Sequence, residues 1–203
     1  MKKLKDNINW DNWLIRRKFK PDYIFTNTLK KILDEFEKEK DYKEYNVLEI
    51  GCGHGIGTYP LSEIFKHVDA IDPTKKLLDD LDKRIKNDKK TNIKTYLTTC
   101  SKFKTKKKYD LIICKWSFIF TNQEKCFKNI MKLLKKNRYL MIIEPYHPFD
   151  IFKQKKRYKK IFHLDQRSLI FKTFELLSKE KKLDKLFLDR LDNSGFWILS
   201  KKK

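Results

Sequence analysis

Apolar positions recur along this chain with two periods. Leu29, Ile32, Leu33 and Phe36 fall three and four residues apart behind Thr28, which predicts a helix with one buried face. Asn46 to Ile50 then reads as a short apolar-rich strand, and Leu61, Ile64 and Phe65 restore the helical spacing. The same exchange repeats: strand His67 to Asp72, helix through Leu77, Leu78 and Leu81, strand Ile93 to Leu97, strand Leu111 to Cys114, helix through Phe127, Ile130, Met131 and Leu134, strand Tyr139 to Glu144. Such alternation predicts right-handed crossovers and an α/β fold with a parallel sheet buried on both faces. Beyond Ser168, Ile170, Phe171, Phe174 and Leu177 predict another helix. Leu186 to Leu191, the turn Asp192-Asn193-Ser194-Gly195 and Phe196 to Ser200 then predict a closing hairpin. No internal repeat or linker interrupts the pattern.

Four of the five glycines fall directly behind the first strand, in Glu49-Ile50-Gly51-Cys52-Gly53-His54-Gly55-Ile56-Gly57. Glycine belongs where the backbone takes positive φ or a ligand comes close, and a strand-to-helix turn of this kind is expected to offer free N–H groups. The spacing is not that of a dinucleotide fold, because Ile56 or Thr58 stands where the third glycine of G-x-G-x-x-G would fall, and no Lys follows as in a phosphate loop. What remains is an acid followed by three alternating glycines.

That pattern resembles motif I of the class I S-adenosylmethionine-dependent methyltransferases, in particular the type 11/12-like enzymes. The resemblance implies a Rossmann-like, mostly parallel seven-stranded sheet with an antiparallel C-terminal hairpin and helices on both faces. It also implies S-adenosylmethionine as cofactor, with Gly51, Cys52, Gly53 and Gly55 beside its methionine half and Glu49 near its amino group. The physics agrees, since this ligand has no phosphates but carries an ammonium and a sulfonium that a carboxylate can face. Asp72, at the end of the second strand and followed by Pro73, is the expected ribose ligand. Members of the superfamily often place an acid after strand three to hold adenine. Here Thr98-Thr99-Cys100-Ser101 stands there, so a hydroxyl or backbone carbonyl around Cys100 and Ser101 is expected to take that role. Lys115, at the end of strand four, completes the cofactor set.

Acceptor chemistry depends on the ends of strands four and five. Enzymes acting on nucleobase amines or glutamine amides usually place N/D-P-P-Y/F after strand four, whereas this chain has Lys115-Trp116-Ser117-Phe118. Neither a K-D-K-E tetrad nor the catalytic cysteine motif of the 5-methylcytosine class is present. Val68 to Pro73, Lys115-Trp116 and Arg167-Ser168 with Phe171 and Phe174 resemble in part the protein α-N-terminal methyltransferases, with Phe120 where that family has histidine. Trp116 and Tyr146 are candidates to line an acceptor pocket. Glu144 and His147, in Glu144-Pro145-Tyr146-His147-Pro148, are candidate bases, needed only for an acceptor that arrives protonated. The acceptor is an unidentified N or O group, a protein N-terminus and RNA being the alternatives. A reading of a different class is a catalytically silent relative that binds RNA.

Composition changes this picture in three places. The formal net charge of +22 at pH 7, with the run Lys153 to Lys160, attracts nucleic acid or an acidic partner, although lysine is spread through every segment. No apolar run approaches the ~18 residues of a membrane span, so a soluble cytoplasmic protein is expected. Cys52, Cys100, Cys114 and Cys126 form no C-x-x-C pair, and free thiols with no metal site are expected. Residues 46–203 read as the catalytic domain. Residues 1–45 concentrate Trp10, Trp13, Phe19, Tyr23 and Phe25 near Arg16, Arg17 and Lys18, either as a lid over the cofactor or as aromatics packed on the core.

Overall fold

The computed structural model describes residues 19–36, 41–144, 183–191 and 195–203. Helix α1 (Tyr23–Phe36) leads through a 3-10 turn (Asp41–Glu44) into β1 (Asn46–Ile50), α2 (Thr58–Ile64), β2 (His67–Asp72), α3 (Lys75–Asn87) and β3 (Ile93–Leu97). There follow β4 (Tyr109–Lys115), a 3-10 turn (Phe118–Phe120), α4 (Gln123–Leu133), β5 (Leu134–Glu144), β6 (Leu183–Leu191) and β7 (Gly195–Lys202). The seven strands lie in the order β3-β2-β1-β4-β5-β7-β6. β1 to β5 pair in parallel, and β6 and β7 close the sheet as the expected antiparallel hairpin.

Period-two alternation divides the core between two faces. Leu48, Ile50, Ile112, Cys114, Leu140 and Ile142 pack on one side with Phe127 and Ile130 of α4. Val47, Leu111, Ile113, Tyr139, Met141 and Ile143 pack on the other, with Phe25, Leu29, Ile32 and Leu33 of α1 and with Leu61 and Phe65. The described part of the N-terminal segment is therefore built into the core. Asp22 caps α1 by accepting the Phe25 N–H at 3.0 Å, as helix N-termini require. The predicted helix after Ser168, the Lys153 to Lys160 run, Trp10 and Trp13 lie outside the described residues.

Strand order reverses between β1 and β4, and ligands of open α/β sheets bind beyond the strand ends at such a switch point. Ile50 is paired there with Cys114, which brings the glycine loop beside the residues after β4.

Three expectations change. Leu134, assigned above to a helix, is the first residue of β5, which starts five residues before Tyr139. The polar run Lys135-Lys136-Asn137-Arg138 hides that start, because Lys135 and Arg138 reach back to the buried Asp110 carboxylate at 2.9 and 3.2 Å. β4 likewise begins at Tyr109, whose hydroxyl donates to Asp69 at 2.6 Å. Finally, Cys100 and Cys126 are joined in a disulfide, so only Cys52 and Cys114 are free thiols, both buried. A loop after β3 and the helix α4 bring the bonded pair together across 26 residues of sequence, an adjacency that cysteine spacing does not reveal.

Candidate functional site

The glycine loop leaves β1 through three residues in the left-handed region: Gly51 at φ 76°, Gly53 at 55° and Gly55 at 90°. A Cβ at Gly51 would collide with Ser117, which sits against the loop and donates its hydroxyl to the Ile50 carbonyl at 2.5 Å. The loop's N–H groups are less available than expected. Those of Gly51 and Cys52 go to the Ile71 carbonyl at 2.8 and 3.2 Å, that of Gly53 to the Asp72 carboxylate at 3.0 Å and that of Gly55 to the Cys52 carbonyl at 3.0 Å. A site that spends these donors on itself is poorly suited to gripping phosphate. What it presents instead is carboxylate.

Two acids flank the loop. Glu49 is 3% exposed at the end of β1 and accepts the Thr58 hydroxyl at 2.6 Å, while its other oxygen lies against Gly57. Burial pushes its carboxyl up to about 7 despite the opposing Thr58 hydrogen bond and Lys115 charge, and the nearby Asp72 adds to the rise. Asp72 accepts the N–H groups of Thr74 at 2.8 Å and of Gly53. Burial raises its pKa too, against those two bonds. Each carboxylate oxygen has two lone pairs, so acceptor capacity remains on both acids. Thr74, at the cap position of α3, makes no side-chain cap bond, and the Asp72 carboxylate takes its N–H instead.

Lys115 is 7% exposed at its side chain and forms an ion pair with Asp22. Its ammonium lies 4.6 Å from the Phe25 ring centre and 4.9 Å from that of Trp116. Trp116 itself has φ 52°, a conformation that costs a bulky residue of order 1–3 kcal/mol and recurs at functional sites. Its N–H is fixed on the Ile143 carbonyl at 2.8 Å. The Trp116 side chain is half-buried and packs against the core cluster on the α1 side.

Of the other expected residues, Pro73 and Ser101 are exposed. Cys100 is bonded to Cys126, its carbonyl accepts the Asn129 amide at 2.7 Å, and the Ser101 hydroxyl lies 3.4 Å from that of Thr99. Glu144, 6% exposed, ends β5 on the α4 side, where its charge and, above all, burial raise the Cys114 thiol. Tyr146 and His147 lie outside the described residues. Sequence reasoning missed Asp22, Thr58 and Ser117. Only Asp22 left a trace, as an acid before a helix.

A family described as a methyltransferase domain matches residues 41–189. The chain belongs to that family. It is a class I methyltransferase, a superfamily whose methyl donor is S-adenosylmethionine, and the site fits that donor, offering buried carboxylates to a cation-bearing ligand. No curated protein matches the chain by sequence. Among solved structures it resembles a Methanococcus maripaludis protein assigned to the S-adenosyl-L-methionine-dependent methyltransferases, at 18% identity and TM-score 0.65 over 89% of this chain and 87% of that one. An Aquifex aeolicus SAM-dependent methyltransferase gives 17% and 0.64 over 84% and 89%. The N-methyltransferase NodS of Bradyrhizobium japonicum, solved with S-adenosyl-l-homocysteine, gives 17% and 0.59 over 83% and 86%. Such likenesses establish the methyltransferase fold, and 1113 matching chains make it too common to name an acceptor. No helix among the described residues is long and apolar enough to cross a membrane.

Proposed function

We propose that this methyltransferase moves a methyl group from S-adenosylmethionine to a nitrogen or oxygen of an acceptor seated beyond β4 and β5. The observation that carries the reading is the pair of buried carboxylates, Glu49 and Asp72, on either side of a loop in which the Gly51, Cys52, Gly53 and Gly55 N–H groups are bonded within the protein. Glu49 would hold the donor's ammonium and Asp72 its ribose hydroxyls. Gly51, Cys52, Gly53 and Gly55 would line the methionine half, with Pro73, Cys100 and Ser101 around adenine and Lys115 behind Glu49. The donor supplies an electrophilic methyl group on a sulfonium. The protein's part is to hold the acceptor close and in line. Trp116 and Tyr146 would bound the acceptor, and Glu144 or His147 would take its proton where it arrives protonated.

Calorimetric titration with S-adenosylmethionine and S-adenosylhomocysteine, beside Asp72→Ala, tests the donor site. Binding in the micromolar range that drops at least tenfold in Asp72→Ala supports it, and no binding by the wild type sinks it. A screen with methyl-labelled donor over free-amino peptides, RNA, and small amines and hydroxy compounds then identifies the acceptor. Donor binding with no transfer to any of them, alongside salt-dependent RNA binding, would favour the silent RNA-binding reading that the +22 charge keeps in view.

A further inference from the structure

Asp22 precedes the matched family segment, yet it meets the donor site at three points. Its N–H donates to the Ile56 carbonyl of the glycine loop at 2.8 Å, one carboxylate oxygen caps α1 on Phe25, and the other pairs with Lys115. Glu49 and Lys115 stand at the ends of adjacent strands on the α1 side of the sheet, and the Phe25 ring lies between α1 and both of them. A Cβ at Gly57 would lie 2.5 Å from the Glu49 carboxylate and 3.6 Å from that ring, and the Lys115 ammonium is 4.6 Å from the ring centre. Lys115 thus has two acids within its reach, one of which the donor needs.

We propose that Asp22 is a positioning residue of the donor site: by holding Lys115 it keeps that ammonium from closing on Glu49, so Glu49 stays open for the cationic end of S-adenosylmethionine. The inference rests on the donor reading above. Among the described residues, the groups facing Glu49 are Lys115 from β4, Asp72 from β2, Cys52 from the loop and the Thr58 hydroxyl from α2, with Asp22 acting through Lys115. Lys115 is the one cation among them. It favours the ionised form of Glu49, whose protonation midpoint burial has brought to about 7. Donor binding by this site should therefore strengthen as pH rises through 7. Removing either partner of the ion pair moves that midpoint, in opposite directions. Without Asp22, Lys115 pairs with Glu49, which ionises at lower pH but is neutralised toward the ligand. Without Lys115, Glu49 loses its cation and ionises at higher pH.

The test is the pH dependence of S-adenosylhomocysteine affinity from pH 5.5 to 8.5 in wild type, Asp22→Asn and Lys115→Met. Asparagine can still cap α1, so the fold is kept. The expected result is a midpoint about one pH unit lower in Asp22→Asn, with affinity above it reduced about tenfold, and about one unit higher in Lys115→Met, with affinity largely recovered at pH 8.5. Asp22→Glu, which restores the charge, should restore the wild-type midpoint. Equal weakening of both variants at every pH, with an unmoved midpoint, would mean a purely structural ion pair and overturn the inference while leaving the donor reading intact. A wild type that binds no S-adenosylhomocysteine at any pH would overturn both.

Discussion

Gly51 is constrained from two sides. Its φ of 76° penalises any side chain by about 1–2 kcal/mol, and the Ser117 side chain occupies the place a Cβ would take. Ser117 cannot simply withdraw, because its hydroxyl holds the Ile50 carbonyl at the end of β1. Gly51→Ala is therefore expected to lower stability by at least about 2 kcal/mol, read as a shifted urea midpoint at unchanged slope, and to weaken S-adenosylhomocysteine binding even where the variant is fully folded. At this scale the sequence was readable where chemistry is local. The acid-and-glycine spacing marked the loop, and the distance to the next strand end marked Asp72. Ser117, Thr58 and Asp22 enter through tertiary contacts across 67, 9 and 93 residues, which no local pattern encodes. The Gly51, Cys52, Gly53 and Gly55 N–H groups, expected to face a ligand, are taken by Ile71, Asp72 and Cys52 for the same reason.

Among the elements, α4 does more than cover one face of the sheet. It holds the loop after β3 by the Cys100–Cys126 disulfide and by the Asn129 amide, which donates to the Cys100 and Phe103 carbonyls at 2.7 and 2.8 Å. That loop is the proposed adenine side of the donor site, so its order depends on α4. Reduction, or Cys126→Ser, is expected to cost about 3 kcal/mol of stability, the scale for a cross-link closing a loop of this length. Denaturant unfolding with and without dithiothreitol checks this: the wild type should respond and Cys126→Ser should not. Hydrogen exchange should quicken at Thr99 to Phe103 and stay unchanged in β1. Elements defined by apolar runs were legible to the residue, as in β1, β2 and β3. Those whose ends carry charge were not. The start of β5 carries Lys135 and Arg138, which Asp110 receives, and Asn137 at φ 57° sits within that irregular start, beside the register shift against β4.

Over the whole molecule, the two ends of the sheet treat buried acids in opposite ways. Toward the N-terminal ends of the strands, Asp69 is fully enclosed and accepts from Tyr109 at 2.6 Å, His67 at 2.8 Å and Lys107 at 3.0 Å. Burial pushes its pKa up, but the bonds from Tyr109, Lys107 and His67 and the Lys107 charge outweigh it and hold the carboxyl below its ordinary value. A depressed folded pKa contributes stability above the unfolded value of about 3.9 that is lost as pH falls below it. At the C-terminal mouth Glu49 runs the other way. Its folded pKa is raised to about 7, so the relative stability it confers is full below its ordinary value of 4.5 and is lost as pH rises through 7. Charging this acid in place costs on the order of 3 kcal/mol at 1.36 kcal/mol per pH unit. The ligand-free protein should therefore be most stable in mildly acidic solution, with an acid limb absent from Asp69→Asn and an alkaline limb absent from Glu49→Gln. Glutamine still accepts the Thr58 hydroxyl, so Glu49→Gln should be more stable than wild type at pH 8 while losing donor affinity. Saturating S-adenosylhomocysteine, at about 100 times its Kd, should return about 2.7 kcal/mol to the wild type at pH 8 and little to the variant. Urea titrations at pH 3, 5.5 and 8, with and without ligand, measure all of these terms. An alkaline limb that persists in Glu49→Gln would show that the cost of burial lies on another acid of the mouth, Asp72 first among them.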